Sequence, residues 1–134
     1  SRARRRADGQ EVALKITRFV DFEMEITTQR EYEILNEVRH PHIVRALGYF
    51  TYSMGSVLVL EYLHDSFTLE DGVAAAPGGV LCESVACRIT RSLLQAIAHV
   101  HQRGYMHRDV KTQNVLVSGD RGTGDLRNLR LIDF

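Results

Sequence analysis

A chain of 134 residues with 44% hydrophobic and 25% charged residues has the make-up of an ordinary globular domain, which excludes a disordered tail and leaves room for one domain at most. Its 17 basic and 17 acidic side chains cancel, so no basic footprint suggests nucleic acid as a partner. No apolar run approaches the ~18 residues of a membrane span, so no membrane partner is expected either.

The chain opens on SRARRRADGQ, without an initiator methionine or the apolar core of a signal peptide. Its arginine run, Arg4-Arg5-Arg6, reads as a solvated strand end rather than a targeting patch, leading to a turn at Asp8-Gly9. Residues 11–17 then alternate as a strand does, with Val12, Leu14 and Ile16 on one face and Ala13, Lys15 and Thr17 on the other. Residues 26–39, ITTQREYEILNEVR, predict a helix, which HPH ends because His40 precedes Pro41 and is held out of the helical region. IVRALGYF and SVLVLEYL are strand candidates joined by a turn around SMGS, with Tyr49, Phe50 and Tyr52 expected in the sheet core. Residues 74–79, AAAPGG, break the pattern and form a connection.

Residues 83–103 carry the clearest helical stripe: Val85, Ile89, Leu93, Ile97 and Val100, with Gly104 at the C-terminal cap. Cys82 and Cys87 lie in this helical pattern and point to different sides of it. Neither a disulfide framework nor a zinc site fits, and a reducing, cytoplasmic setting is expected, with the nucleus as a second location. His40 with His42, and His99 with His101, are only two apart and read as capping and surface residues. NVLV and LRLIDF flank the turn SGDRGTGD. The order of elements predicts an α+β chain, and both of its ends look cut.

Against this apolar frame stand charges on faces that want burial. Glu31 shares a helical stripe with Ile34, Leu35 and Val38, and an unpaired carboxylate there is costly. Lys15 sits mid-strand between Leu14 and Ile16. Each residue alone could snorkel to solvent, but the pair predicts a Lys15–Glu31 contact between strand and helix. In YMHRDVKTQNVLV, Asp109, Lys111 and Asn114 occupy a loop between the long helix and a strand, and Asp133 closes the next strand. A hairpin would bring Asn114 and Asp133 together as oxygen ligands for a hard cation such as Mg2+. Asp109 would be left free as a base and Lys111 as a cation for phosphate. Two lysines and a magnesium pair converge on a nucleoside triphosphate.

VALKI with Glu31, RHPHIV, LEYL, HRDVKTQN and the terminal DF, in this order, resemble the protein-kinase catalytic domain over essentially the whole chain. The resemblance implies an incomplete two-lobed kinase fold: residues 1–63 as part of the N-lobe sheet with helix C and the hinge, residues 64–134 as the start of the helical C-lobe. It implies ATP and Mg2+ as cofactors and serine or threonine hydroxyls of proteins as substrates. Lys15 would hold the α- and β-phosphates, oriented by Glu31. Leu60 would be the gatekeeper, the backbones of Glu61 and Leu63 would bind adenine, and Ala13 and Leu116 would complete the nucleotide-binding set. Asp109 would accept or orient the hydroxyl proton, Lys111 would steady the γ-phosphate, and Asn114 and Asp133 would bind magnesium. His107 and Phe134 would stack. Lys111, two residues after Asp109, matches the serine/threonine rather than the tyrosine class.

The chain also departs from the family pattern. Thr112 replaces a common proline and Ala46 a larger residue. The glycine-rich loop expected before Ser1, the glycine after Phe134 and the later substrate-binding helices are not in these residues, so the 134-residue chain alone is expected to be inactive. A pseudokinase or scaffold is the alternative. A small-molecule phosphotransferase is disfavoured by Arg108 and by the loop after Asp109. A regulatory partner is neither named nor excluded by these residues.

Overall fold

The computed structural model describes residues 1–134 apart from the Phe22 side chain. The chain divides into two compact units, Ser1–Arg39 with Val44–Leu63, and His40–Ile43 with His64–Phe134. Both combine strands with helix, in keeping with the expected α+β class.

In the first unit β1 (Arg2–Arg4), β2 (Glu11–Arg18), β3 (Ala46–Tyr52) and β4 (Gly55–Glu61) form an antiparallel sheet in the order β1-β2-β4-β3. The β1–β2 turn places Gly9 at φ 73 and is clamped by the Arg5–Asp8 ion pair. The hydrogen bond from Arg5 holds the Asp8 carboxyl at about 2, below its ordinary 3.8. Arg2 and Arg4 both pair with Glu11 across the strands, so Arg4 of the arginine run is engaged within the sheet.

Helix α1 (Phe22–Glu37) packs on β3 and β4. It starts earlier than the apolar period of residues 26–39 implies, because Asp21 caps it, its side chain accepting the Met24 N–H at 2.8 Å. The first turn carries Glu23 and Glu25, which suit the positive end of the helix dipole but leave no apolar signature. The predicted inner stripe is in place: Glu31, Leu35 and Val38 are buried.

The expected aromatic core is only partly there. Tyr49 stacks on Tyr32 with ring centroids 5.6 Å apart, and its hydroxyl meets Thr28 Oγ1 at 3.0 Å. Phe50 and Tyr52 are instead 64% and 45% exposed. Successive strand residues point to opposite faces. Tyr49 faces α1, while Phe50 lies in a cross-strand row with Val57 and the exposed Ile16.

In the second unit β5 (Phe67–Thr68), β6 (Val115–Asp120) and β7 (Asp125–Leu131) form an antiparallel sheet in that order. With it go α2 (Leu69–Ala75) and α3 (Glu83–Gln102). Ala96 and Val100 of α3 and Val117, Leu126, Leu129 and Leu131 of the sheet are at most 1% exposed and form the core. Gly104 takes φ 78 just beyond α3, its N–H reaching His101 O at 3.0 Å, so the predicted cap is real. Cys82 stands at the N-cap position rather than inside the helix, and both cysteines are exposed free thiols. Neither β5 nor α2 is among the elements expected from the sequence, although Thr68 is a visible cap whose Oγ1 accepts the Asp71 N–H at 3.1 Å. His40–Ile43, grouped with residues 1–63 by that reading, belongs to the second unit. The Leu131 N–H donates to His42 O at 2.8 Å, and Ile43 bridges Leu131 in parallel.

Gly72 in α2 provides a direct test of this packing. A Cβ there would lie 2.8 Å from Leu126 Cδ1 and 2.9 Å from Phe67 Cε2, both belonging to buried side chains. Alanine gains about 1 kcal/mol in helix propensity over glycine, whereas overpacking a full core costs about 1–3 kcal/mol. Gly72→Ala is therefore expected to lower stability by about 1 kcal/mol in urea denaturation. A stabilised variant would mean that Leu126 and Phe67 yield freely.

Candidate active site

Lys15 and Glu31 are joined as predicted. Lys15 Nζ lies 2.8 and 2.9 Å from the two carboxylate oxygens of Glu31, the lysine side chain 39% exposed and the glutamate 8%. The pairing follows from the elements. Lys15 faces the α1 side of β2 opposite Leu58, and Glu31 lies on the inward stripe of α1. Two residues along the strand, Ala13 stands opposite Leu60, and both are half-buried. At the end of β4, Glu61 is tied to Arg45 twice. Its N–H donates to Arg45 O at 2.9 Å, and its carboxylate accepts the Arg45 N–H at 3.0 Å. Leu63, at the end of this unit, is half-buried.

In the second unit the loop after α3 gathers the other charged residues. Asn114 is buried, and its Nδ2 donates to Asp109 Oδ2 and to Asp109 O, both at 2.9 Å. Lys111 Nζ lies 2.7 Å from the same Oδ2. Asp109 is therefore not the free carboxylate of the sequence reading. Both of these side-chain contacts fall on Oδ2, on a side chain that is 57% exposed. The donation by Asn114 Nδ2 also fixes the orientation of that amide, so its Oδ1 is the oxygen available to a ligand.

Asn114 and Asp133 are brought near each other by main chain: Ile132, the residue before Asp133, donates its N–H to Asn114 O at 3.0 Å. Leu116 lies on β6 two residues beyond Asn114, half-buried and paired with Thr68 and Arg130. Two hard oxygens, Asn114 Oδ1 and the Asp133 carboxylate, suit Mg2+, which keeps waters and takes further oxygens from phosphates. Among the described residues no three His, Cys, Asp or Glu side chains form a metal cage, so a cation here would draw on such outside oxygens.

His107 organises this loop. Its ring meets Phe134 edge-on at 4.6 Å, as expected, but it also makes two hydrogen bonds that the sequence reading misses. Nδ1 accepts the Asp109 N–H at 3.3 Å, which makes Nε2 the protonated nitrogen that donates to Ile132 O at 2.8 Å. One buried imidazole thus ties the Asp109 main chain to the segment that carries Asp133. The spacing held a clue, because a histidine accepting the N–H two residues on recurs at His40, whose Nδ1 accepts the His42 N–H at 3.1 Å. Arg108 and Asp133 adopt φ 68 and 58, a left-handed conformation that costs a non-glycine residue about 1–2 kcal/mol.

The hydrogen bond from Lys111, followed by that from Asn114, holds the Asp109 carboxyl below its ordinary 3.8. A group with a lowered native value contributes fully above 3.8, and the contribution is lost as pH falls through that lowered value. Lys111→Met is expected to raise the Asp109 midpoint toward 3.8 in a carboxyl-carbon NMR titration. An unchanged midpoint would take Lys111 out of this role.

The family description that matches residues 1–134 is that of the protein kinase domain. The chain belongs to the protein kinase domain family. Among its relatives, CBL-interacting protein kinase 4 of Oryza sativa subsp. japonica is 35% identical over 136 residues, covering 98% of this chain and 28% of that protein. Serine/threonine-protein kinase RAD53 of Saccharomyces cerevisiae is 36% identical over 91 residues, covering 68% and 11%. CTD kinase subunit alpha of Schizosaccharomyces pombe is 32% identical over 105 residues, covering 76% and 16%. The chain thus spans about a quarter or less of the length of these relatives. As protein kinase domains in general use ATP and Mg2+, a lysine–glutamate pair and an Asp–Lys–Asn loop are the chemistry such a domain requires.

Proposed function

We propose that the complete protein is a serine/threonine kinase that transfers the ATP γ-phosphate to protein hydroxyls, and that residues 1–134 carry most of its catalytic side chains. The observation that carries this reading is the loading of Asp109. With Lys111 and Asn114 both on Oδ2, Oδ1 is left to accept and orient a serine or threonine hydroxyl. Lys111 supplies positive charge beside that hydroxyl, where the γ-phosphate must arrive. Lys15, held by Glu31, takes the α- and β-phosphates. Asn114 Oδ1 and the Asp133 carboxylate hold Mg2+, whose charge neutralises the phosphate oxygens. Because the Glu61 N–H is committed to Arg45 O, Glu61 contacts adenine through its carbonyl, beside Leu63 and the apolar Ala13 and Leu60 of the same unit.

Activity needs more chain than these residues, which cover about a quarter of the relatives' length or less. Protein substrates and a cytoplasmic or nuclear location belong to the same proposal. The test is transfer of labelled γ-phosphate by the complete protein to a mixed serine, threonine and tyrosine peptide library, followed by phosphoamino-acid analysis. Phosphoserine and phosphothreonine are expected. Phosphotyrosine alone would overturn the class, and nucleotide binding without transfer would favour a scaffold.

A further inference from the structure

Three histidines far apart in sequence converge in the second unit. The His40 ring lies 5.4 Å from that of His42 and 5.1 Å from that of His99 on α3. These residues do not play the separate surface roles their spacing suggests. Each is at least half-buried, and His99 Nε2 is fully buried with no hydrogen-bond partner. Among the described residues no metal-binding group of three is formed, so metal ligation does not explain the cluster.

The cluster lies where His40–Ile43 is fastened to its unit. His42 Nδ1 is 3.3 Å from Leu129 O, His42 O accepts the Leu131 N–H, and the Ile43 N–H donates to His40 O at 3.0 Å. We propose that His40, His42 and His99 form a proton-sensitive latch, which holds the His40–Ile43 segment against α3 and β7 at neutral pH and releases it on acidification. The inference stands apart from the kinase reading and concerns only how this unit is held together.

The geometry makes protonation costly in the closed state. A proton on His99 Nε2 would be a buried positive donor without an acceptor. The groups that act on the His40 ring all oppose a proton there. His99 acts on His40 from α3, His42 from its own segment and Arg130 from β7, while Arg103 lies one helical turn beyond His99. The helix dipole at the end of α3 would favour a cation on His99. However, the carbonyls there are already engaged, Val100 O by Arg103 N–H and Tyr105 N–H, and His101 O by Gly104 N–H. Burial, then His99, His42 and Arg130, push the His40 value below the ordinary 6.5. The open segment therefore binds protons more readily than the closed one. Closure is unpenalised above 6.5 and is lost as pH falls from 6.5 through the lowered native value.

The test is amide hydrogen exchange on the 134-residue chain, with protection factors referred at each pH to unstructured-peptide rates. Between pH 7.5 and 5.5, protection at Ile43 and Leu131 should fall by about tenfold for each imidazole that stays neutral when closed and titrates near 6.5 when open. Ala96, in the middle of α3, should keep its protection. The double variant His40→Asn and His99→Phe retains an acceptor for the His42 N–H and a ring at position 99, and should remove the share of the loss due to His40 and His99, leaving at most the roughly tenfold of His42. Flat protection in the parent chain, an equal loss at Ala96, or an unchanged loss in the folded variant would each overturn the proposal. Should the variant not fold, the parent chain decides: the midpoint of lost protection at Leu131 must coincide with an imidazole titration of His40 or His99 followed by NMR, and a mismatch overturns the latch.

Discussion

Asp109→Asn in the complete protein is expected to lower kcat by about 10²–10⁴-fold, the range over which a positioned general base acts, with KM for ATP little changed. The structure explains why so small a change should matter. Lys111 Nζ and Asn114 Nδ2 both donate to Asp109 Oδ2, so an asparagine must turn its own carbonyl oxygen toward these two donors. Its NH2 group then takes the place of Oδ1 and presents a donor to a hydroxyl that must itself donate. Neither proton acceptance nor orientation survives, although volume and the loop hydrogen bonds do. The nucleotide-holding groups proposed here, Lys15 and the Asn114–Asp133 pair, are untouched by the change. Steady-state transfer assays on a fixed peptide would check both numbers. Unchanged turnover would remove Asp109 from the chemistry, and a large rise in KM for ATP alone would reassign it to nucleotide binding.

The sequence was most legible where a charge lies on an otherwise apolar stripe. Glu31 among Ile34, Leu35 and Val38, and Lys15 between Leu14 and Ile16, each pose a burial problem that the other solves, and the Lys15–Glu31 bond follows. The long helix was equally plain, because Val85, Ile89 and Val100 recur over several turns and Gly104 ends the run. Features set by hydrogen bonds to polar side chains were not legible in this way. The first turn of α1 rests on Asp21, and α2 rests on Thr68, so an apolar period cannot reveal either. In the catalytic loop, spacing places Asp109, Lys111 and Asn114 together but does not say which oxygen each uses. That choice depends on the loop's path, including the left-handed Arg108 and the tie from His107 to Ile132. The exposed Phe50 fails for a further reason. Alternation identifies the two faces of a sheet, but not which face a helix covers.

Lys15→Met and Glu31→Leu should destabilise the chain unequally, and their combination should nearly restore it. Glu31 is almost fully buried, whereas 39% of the Lys15 side chain reaches solvent. Removing the lysine strands a carboxylate that cannot leave its stripe beside Leu35 and Val38, and breaking a buried pair in this way costs about 3 kcal/mol. Removing the glutamate leaves a lysine that can extend into water, at a cost of about 1 kcal/mol or less. The double variant has no charge to strand and adds apolar surface to an apolar stripe, so it should lie within about 1 kcal/mol of the parent. Urea denaturation of the three variants forms a closed cycle, and its coupling should come to about 3–4 kcal/mol. Equal losses for the two single variants would mean that solvent reaches Glu31 as freely as Lys15. Additive losses would mean that the two groups meet without energetic consequence, leaving the pair no stabilising role. If the cycle closes as expected while the double variant of the complete protein loses phosphate transfer, the pair is retained for the phosphates rather than for the fold.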